Sequence, residues 1–392
     1  MTDDRDYHIT RFLNLEFPHD EMEELTDFGH PAIDFTHGNF AYTPQTIKDY
    51  LDLHVIGQDD AKKLLAISVF NRAMRLFNKE AGNDVNIEKS NVLLLGPTGV
   101  GKTYLVSTLA KYLNVPVVID DATNFTSGGY VGRDVGELLE NLIKKADDML
   151  AVGDESISSR SGRVKAMAQT GIVYLDEVDK LSTRYSTGAR GDIATIAIQQ
   201  ELLRLIDSGP YHLTTNKKIP SGIADMGEID TTNILFIFGG SFMDIKDIVE
   251  KRMSDCGIGF GSKVRSKDEY DDYAKHVITE DLIKFGMIPE LIGRIPAKVH
   301  LNPLVRKDLI KILTEPKDSI IAQYKRLFAL YGREIIFADS ALNKIAELAL
   351  ENKTGARGLR TILEHSLRDL MFEAPSNPFG PVIKITGRNI TS

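Results

Sequence analysis

The chain commits itself at residues 96–103, which read Gly96-Pro97-Thr98-Gly99-Val100-Gly101-Lys102-Thr103 directly after the apolar run Val92-Leu93-Leu94-Leu95. This is the G-x-x-x-x-G-K-[ST] spacing of a phosphate-binding loop, set between a strand and a helix. Glycines leave room for backbone N–H groups to converge on phosphate oxygens. Lys102 brings a point charge to the β/γ-phosphates, and Thr103 offers a hydroxyl to Mg²⁺. The next segment, Tyr104 to Leu113, carries Leu105, Val106, Leu109, Ala110 and Leu113 on one helical stripe, so its positive end meets the triphosphate. The ligands this predicts are ATP and Mg²⁺.

A loop of this kind needs a parallel sheet behind it. Near-continuous apolar runs at 91–95, 115–119, 171–175 and 233–238 predict buried parallel strands alternating with helices. The expected fold class is therefore α/β, a doubly wound parallel sheet with ligand at the carboxyl ends of its strands. The third run, Ile172-Val173-Tyr174-Leu175, ends in Asp176-Glu177. Strand-end acids paired with a phosphate loop predict that Asp176 holds Mg²⁺ through its water shell and that Glu177 polarises the attacking water. Two arginines are candidates for the positive charge such chemistry uses. They are Arg294, in the turn Gly293-Arg294-Ile295-Pro296, and Arg357, in Gly355-Ala356-Arg357-Gly358.

Bulk properties exclude several classes. No run reaches the ~18 apolar residues of a membrane span, and the start, Met1-Thr2-Asp3-Asp4-Arg5-Asp6, is acidic where a targeting segment is basic. The expected location is the cytoplasm. A single cysteine, Cys256, excludes an internal disulfide and a cysteine-cluster zinc site. A net charge of −9 argues against general affinity for nucleic acid or anionic membrane.

The 392 residues divide by character. Residues 1–42 are polar, acidic and without period, an N-terminal extension that is poorly ordered or variable. Thr43-Pro44 reads as a helix start, and a helix is predicted from Asp59 or Asp60 to about Phe77. A large domain covers 43–302, and a smaller, mostly helical one covers 303–392, with helical patterns over 305–330, 340–351 and 358–372 and short strands at 334–337 and 382–385. The small, polar stretch 153–163 and the Pro- and Gly-bearing stretch 208–230 read as long loops.

Taken together, these residues resemble the AAA+ protein unfoldases of the Clp/HslU group, the ClpX branch above all. The resemblance runs from about Thr43 to Pro375. It is carried by Val55-Ile56-Gly57-Gln58, the phosphate loop, Gly129-Tyr130-Val131-Gly132, Gly171 to Lys180, Asp281 to Pro296, and Lys353 to Arg360. It implies an ATPase whose Val55 and Ile56 wall the adenine pocket. In it Arg294 is the arginine finger given to a neighbouring copy, Arg357 is the sensor-2 arginine, and the copies form a homohexamer. By the same resemblance, Tyr130 and Val131 line an axial channel and grip unfolded or tagged protein substrates; without it, a tyrosine anchoring a turn is the simpler reading. Ile258-Gly259-Phe260, an apolar tip amid glycines, would dock on a ClpP-type peptidase. The alternative is a protein remodeller with no peptidase partner. A nucleic-acid motor and a scaffold without turnover are disfavoured by the charge and by the filled catalytic positions. Three departures stand out: the four-cysteine zinc domain of ClpX has no counterpart, residues 153–165 look inserted, and the second pore loop offers only Lys217-Lys218 where ClpX has a basic triplet.

Overall fold

A computed structural model describes residues 43–80, 88–125, 133–150, 157–185, 188–213, 227–255, 276–376 and 382–391. Its elements in chain order begin with α1 (Pro44–His54), α2 (Asp59–Glu80), β1 (Val92–Leu95), α3 (Lys102–Leu113), β2 (Val117–Asp121), α4 (Glu137–Met149), α5 (Ile157–Gln169), β3 (Ile172–Asp176) and α6 (Gly188–Ile206). There follow β4 (Pro210–His212), β5 (Glu228–Asp230), β6 (Leu235–Gly240), α7 (Ile245–Asp255), α8 (Thr279–Phe285), α9 (Pro289–Gly293) and β7 (Ala297–His300). The remainder is α10 (Arg306–Thr314), α11 (Ile320–Leu330), β8 (Ile335–Phe337), α12 (Asp339–Glu351), α13 (Ala356–Glu373) and β9 (Ile383–Ile385). Contacts divide the chain into two compact units. The first holds residues up to Lys48, Ala61–Leu95 and Leu109–His300; the second holds Asp49–Asp60, Gly96–Thr108 and Leu301–Ser392.

The first unit is built on a five-stranded sheet in the order β2–β3–β6–β1–β7, with every pairing parallel. From β1 the chain crosses to the far edge at β2, returns through β3 and β6, and ends on the other side of β1 at β7. All five carboxyl ends therefore share one edge, as expected of a doubly wound sheet. β1 and β6 are buried along their whole length, which is why they read as unbroken apolar runs. The helix α4 packs Leu138, Leu139, Leu142, Ile143 and Ala146 into this core, the spacing of one helical face. The fifth strand, β7, was not expected; its residues are only half-buried and interrupted by Lys298, so it carries no apolar run.

Two loop expectations are corrected. Residues 157–163 belong to α5, not to a surface loop. Val164 and Ala168, four apart, are fully buried, and Arg160, four before Val164, pairs with Asp147 at 2.7 Å, so the helix is fixed along one face although its serines and glycine suggest a turn. The stretch 208–230 begins and ends in an antiparallel pair, β4 with β5, held by the buried Ile229 opposite Tyr211; residues 214–226, with Lys217-Lys218, lie outside the described residues.

The second unit is mostly helical. Its core gathers Leu309, Leu313, Phe328, Ile345, Leu359, Leu363 and Leu367 from α10 to α13, beside the parallel pair β8–β9. The helical pattern over 305–330 is two helices, because Pro316 cannot continue α10 and Ser319 caps α11 by accepting from the Ala322 N–H at 3.2 Å.

Candidate nucleotide site

The phosphate loop opens α3, whose first residue is Lys102. Gly96, Gly99 and Gly101 all have positive φ, 151°, 83° and 98°, conformations that turn successive N–H groups inward and that side chains rarely adopt. At Gly99 the requirement is also steric: a Cβ would lie 2.6 Å from the Thr354 carbonyl oxygen. The loop apex is bonded to that same segment, since the Ala356 N–H donates to the Gly99 carbonyl at 3.0 Å. Within the second unit, then, the start of α13, with the exposed Arg357, is pinned to the phosphate loop. Lys102 is buried, and its Nζ donates to the Gly96 and Pro97 carbonyls at 2.7 and 3.0 Å, which holds the ammonium over the loop. These features fit a triphosphate: a backbone cradle, a fixed cation and a helix N-terminus in one turn.

Val55 is buried and Ile56 half-buried at the start of the same unit. The residue that positions them is Gln58. It takes left-handed backbone (φ 61°), donates from Nε2 to the Asn302 carbonyl at 2.9 Å, and accepts from the Asn302 N–H at 2.8 Å. This reciprocal pair spans 244 residues, so local pattern says nothing of it.

The acids belong to the first unit. β3 ends at Asp176, whose Oδ1 accepts from the Glu177 N–H at 2.9 Å. Glu177 then turns into left-handed backbone (φ 54°, ψ 31°), which costs a residue other than glycine about 1–2 kcal/mol. Strain of this kind persists where surrounding structure over-determines it, often at functional sites. Here the surroundings are Asp179 and the end of β6. Asp179 is buried and accepts from the Ser241 N–H at 3.1 Å and from Ser241 Oγ at 3.0 Å, closing the turn after Glu177 against β6. Gly239 gives β3 its room: a Cβ there would run into Tyr174 Oη and come within 3.0 Å of Asp176 Oδ1. Burial raises the Glu177 carboxyl above the ordinary carboxylate range, and the charges of Asp121, Asp176 and Asp179 add to the rise, against Lys180. Asp121 ends β2 directly opposite Asp176 in register. Sequence reasoning missed it because the strand was expected to stop at Ile119.

Arg294 caps α9, and its carbonyl accepts from Asn91 Nδ2 at 2.8 Å. Its side chain is 62% exposed, and its Nε lies 2.9 Å from Asp207 Oδ1 in an ion pair. The segment that carries it is anchored by buried polar groups. Asp281 takes both Nε and Nη2 of Arg252 at 2.9 Å, and Gln199 bridges the Leu181 carbonyl (2.7 Å) to the Ile288 N–H (2.8 Å).

Tyr130, Val131, Ile258, Gly259 and Phe260 lie outside the described residues. The stems of the Tyr130 segment are described: Phe125 and Arg133 form a β-bridge, and Arg133 Nη1 pairs with Asp120 Oδ2 at 2.7 Å. Among the described residues no group of three or more His, Cys, Asp or Glu side chains could hold a metal by itself. None of the described helices is long and apolar enough to cross a membrane.

Comparison with known proteins agrees with this geometry. Residues 87–298 match the model of the AAA domain (Cdc48 subfamily), and residues 304–380 match that of the C-terminal, D2-small domain of ClpB protein. The chain is 46% identical over 339 residues to the "ATP-dependent Clp protease ATP-binding subunit ClpX" of Treponema denticola, covering 85% of this chain and 78% of the relative. It is 42% identical over 339 residues to the proteins of that name from Borrelia duttonii and Borrelia recurrentis, covering 86% of this chain and 75% of each relative. A chain with this parallel sheet, this phosphate loop and relatives this close is an AAA ATPase and belongs to the ClpX family.

Proposed function

We propose that the chain is an ATP-driven protein unfoldase and translocase that works as a homohexamer in the cytoplasm and feeds unfolded or tagged proteins to a ClpP-type peptidase. The observation that carries the reading is Glu177, a carboxylate one residue past a buried strand, held in left-handed backbone and raised in proton affinity by burial and then by its acidic neighbours. Such a group accepts a proton from an attacking water. Lys102 and the N–H groups of residues 98–103 bind the triphosphate, and Val55 and Ile56 wall the base. Thr103 and Asp176 suit Mg²⁺, which when bound neutralises phosphate charge. Arg294 acts on the nucleotide of a neighbouring copy, and Arg357 reads the nucleotide of its own.

The working division of the chain is a large ATPase domain over 43–302 and a small domain over 303–392, with 1–42 as an extension. Tyr130 and Val131 grip substrate. The clamp of Arg133 on Asp120, at the end of the strand that also carries Asp121, supports a link from the acid cluster to that gripping segment. Ile258-Gly259-Phe260 docks on the peptidase, in keeping with the relatives' printed description as subunits of a Clp protease. The test is a tagged fluorescent protein incubated with ATP and a ClpP-type peptidase. Fluorescence falls irreversibly and peptides appear only when chain, ATP and peptidase are all present. ATP hydrolysis with no effect on the tagged protein overturns the unfoldase reading; unfolding without degradation leaves a remodeller without a peptidase.

A further inference from the structure

The geometry points to Asp207 as the residue that aims Arg294 at the nucleotide of a neighbouring copy. This rests on the reading of Arg294 as a finger given in trans. The two residues are 87 positions apart in sequence, and each has its backbone fixed independently of the pair. The Arg294 N–H donates to the Leu291 carbonyl at 3.1 Å, and its own carbonyl is held by Asn91, itself buried. The Asp207 N–H donates to Leu203 at 3.0 Å, and its carbonyl accepts from Thr231 Oγ1 at 2.7 Å. The turn beneath it is braced by Lys89, whose Nζ donates to the carbonyls of Ile206 (3.2 Å) and Thr231 (2.8 Å). Two rigid supports thus hold one ion pair whose side chains are 62% and 44% exposed.

A pair that exposed contributes little to stability. What it fixes is direction. Arginine carries many rotamers, and ordering such a side chain at an interface is one of the costs of association. Asp207 engages Nε. The carboxylate meets the guanidinium nearest to Nε, and the two terminal nitrogens form the end-on fork that receives phosphate oxygens bidentately. Asp207 is therefore a positioning residue, acting through Arg294 and touching no nucleotide itself.

Mixed assemblies test this directly. Copies with Glu177→Gln cannot turn over their own ATP but still offer Arg294; copies with Arg294→Ala lack the finger but keep Glu177. Each is inactive alone, and mixing them restores ATPase activity at the interfaces where the first serves the second. Adding Asp207→Ala to the Glu177→Gln copies lowers the restored kcat roughly five- to tenfold with KM for ATP unchanged. The same substitution in the Arg294→Ala copies leaves the restored rate as it was. Asp207→Glu, which keeps the carboxylate charge that faces Nε, recovers part of the loss. Equal losses in both placements, or no loss in the first, overturn the assignment of Asp207 while leaving the trans finger intact. Failure of the mixture to regain any activity overturns the trans finger itself, and the role of Asp207 with it.

Discussion

The phosphate loop and the acid end of β3 both follow a buried parallel strand, yet they keep their shapes by different means. The loop is written in backbone: three glycines of positive φ, a helix start, and a lysine folded over its own carbonyls. Its contacts with Thr354 and Ala356 are also through main-chain atoms. The acid end is written in side chains drawn from three strands: Asp121 from β2, Asp176 from β3, and Ser241 after β6 holding Asp179. A backbone site tolerates almost no Cβ where it has none. A side-chain site tolerates conservative changes in shape but is tuned by every neighbouring charge.

Substitutions should separate the two. Gly99→Ala strikes the backbone site hardest. The new methyl carbon meets a carbonyl oxygen at 2.6 Å and the residue must hold φ 83°, a strain of about 1–2 kcal/mol before any clash. ATP affinity, read by titration calorimetry, falls by at least about tenfold, and affinity within twofold of the parent would show that the loop is not held by Thr354. Gly239→Ala probes the acid end by shape. Overpacking against Tyr174 costs about 1–3 kcal/mol of stability, and displacement of Asp176 lowers kcat roughly tenfold. Here ATP affinity changes far less than for Gly99→Ala; equal losses of affinity would erase the distinction.

Asp121→Asn is the smallest change and tests charge alone. Glu177 works as a base in its ionised form, so activity is lost as pH falls through its raised pKa. Removing the Asp121 charge lowers that pKa. The acid limb of kcat/KM, which reports the free enzyme, therefore moves to lower pH, by less than about one unit. A limb that stays in place, or moves upward, would remove Asp121 from the tuning of Glu177.

The same contrast explains what could be read from the sequence. The phosphate loop was legible because glycine, lysine and threonine at fixed spacing encode a local backbone shape. β1, β3 and β6 were legible because strands buried on both faces have little choice but apolar side chains. Asp176 and Glu177 were visible as acids at a strand end, but the reasons Glu177 holds a proton more tightly were not: its burial is set by the fold, and Asp121, which adds to the rise, stands opposite Asp176 only after β2 has paired with β3. Gln58 and Asp207 were equally hidden: their partners, Asn302 and Arg294, are set by the fold across long separations. The helix α5 was hidden by composition, because two small buried residues, Val164 and Ala168, do the work usually done by a longer apolar stripe.

The central claim is that Glu177 activates water while other residues hold the nucleotide. The direct measurement is ATP affinity and turnover in Glu177→Gln, side by side with the unsubstituted chain. The account predicts unchanged affinity with kcat reduced by about 10²–10⁴-fold. Turnover within a fewfold of normal, or loss of ATP binding in step with loss of turnover, would contradict it.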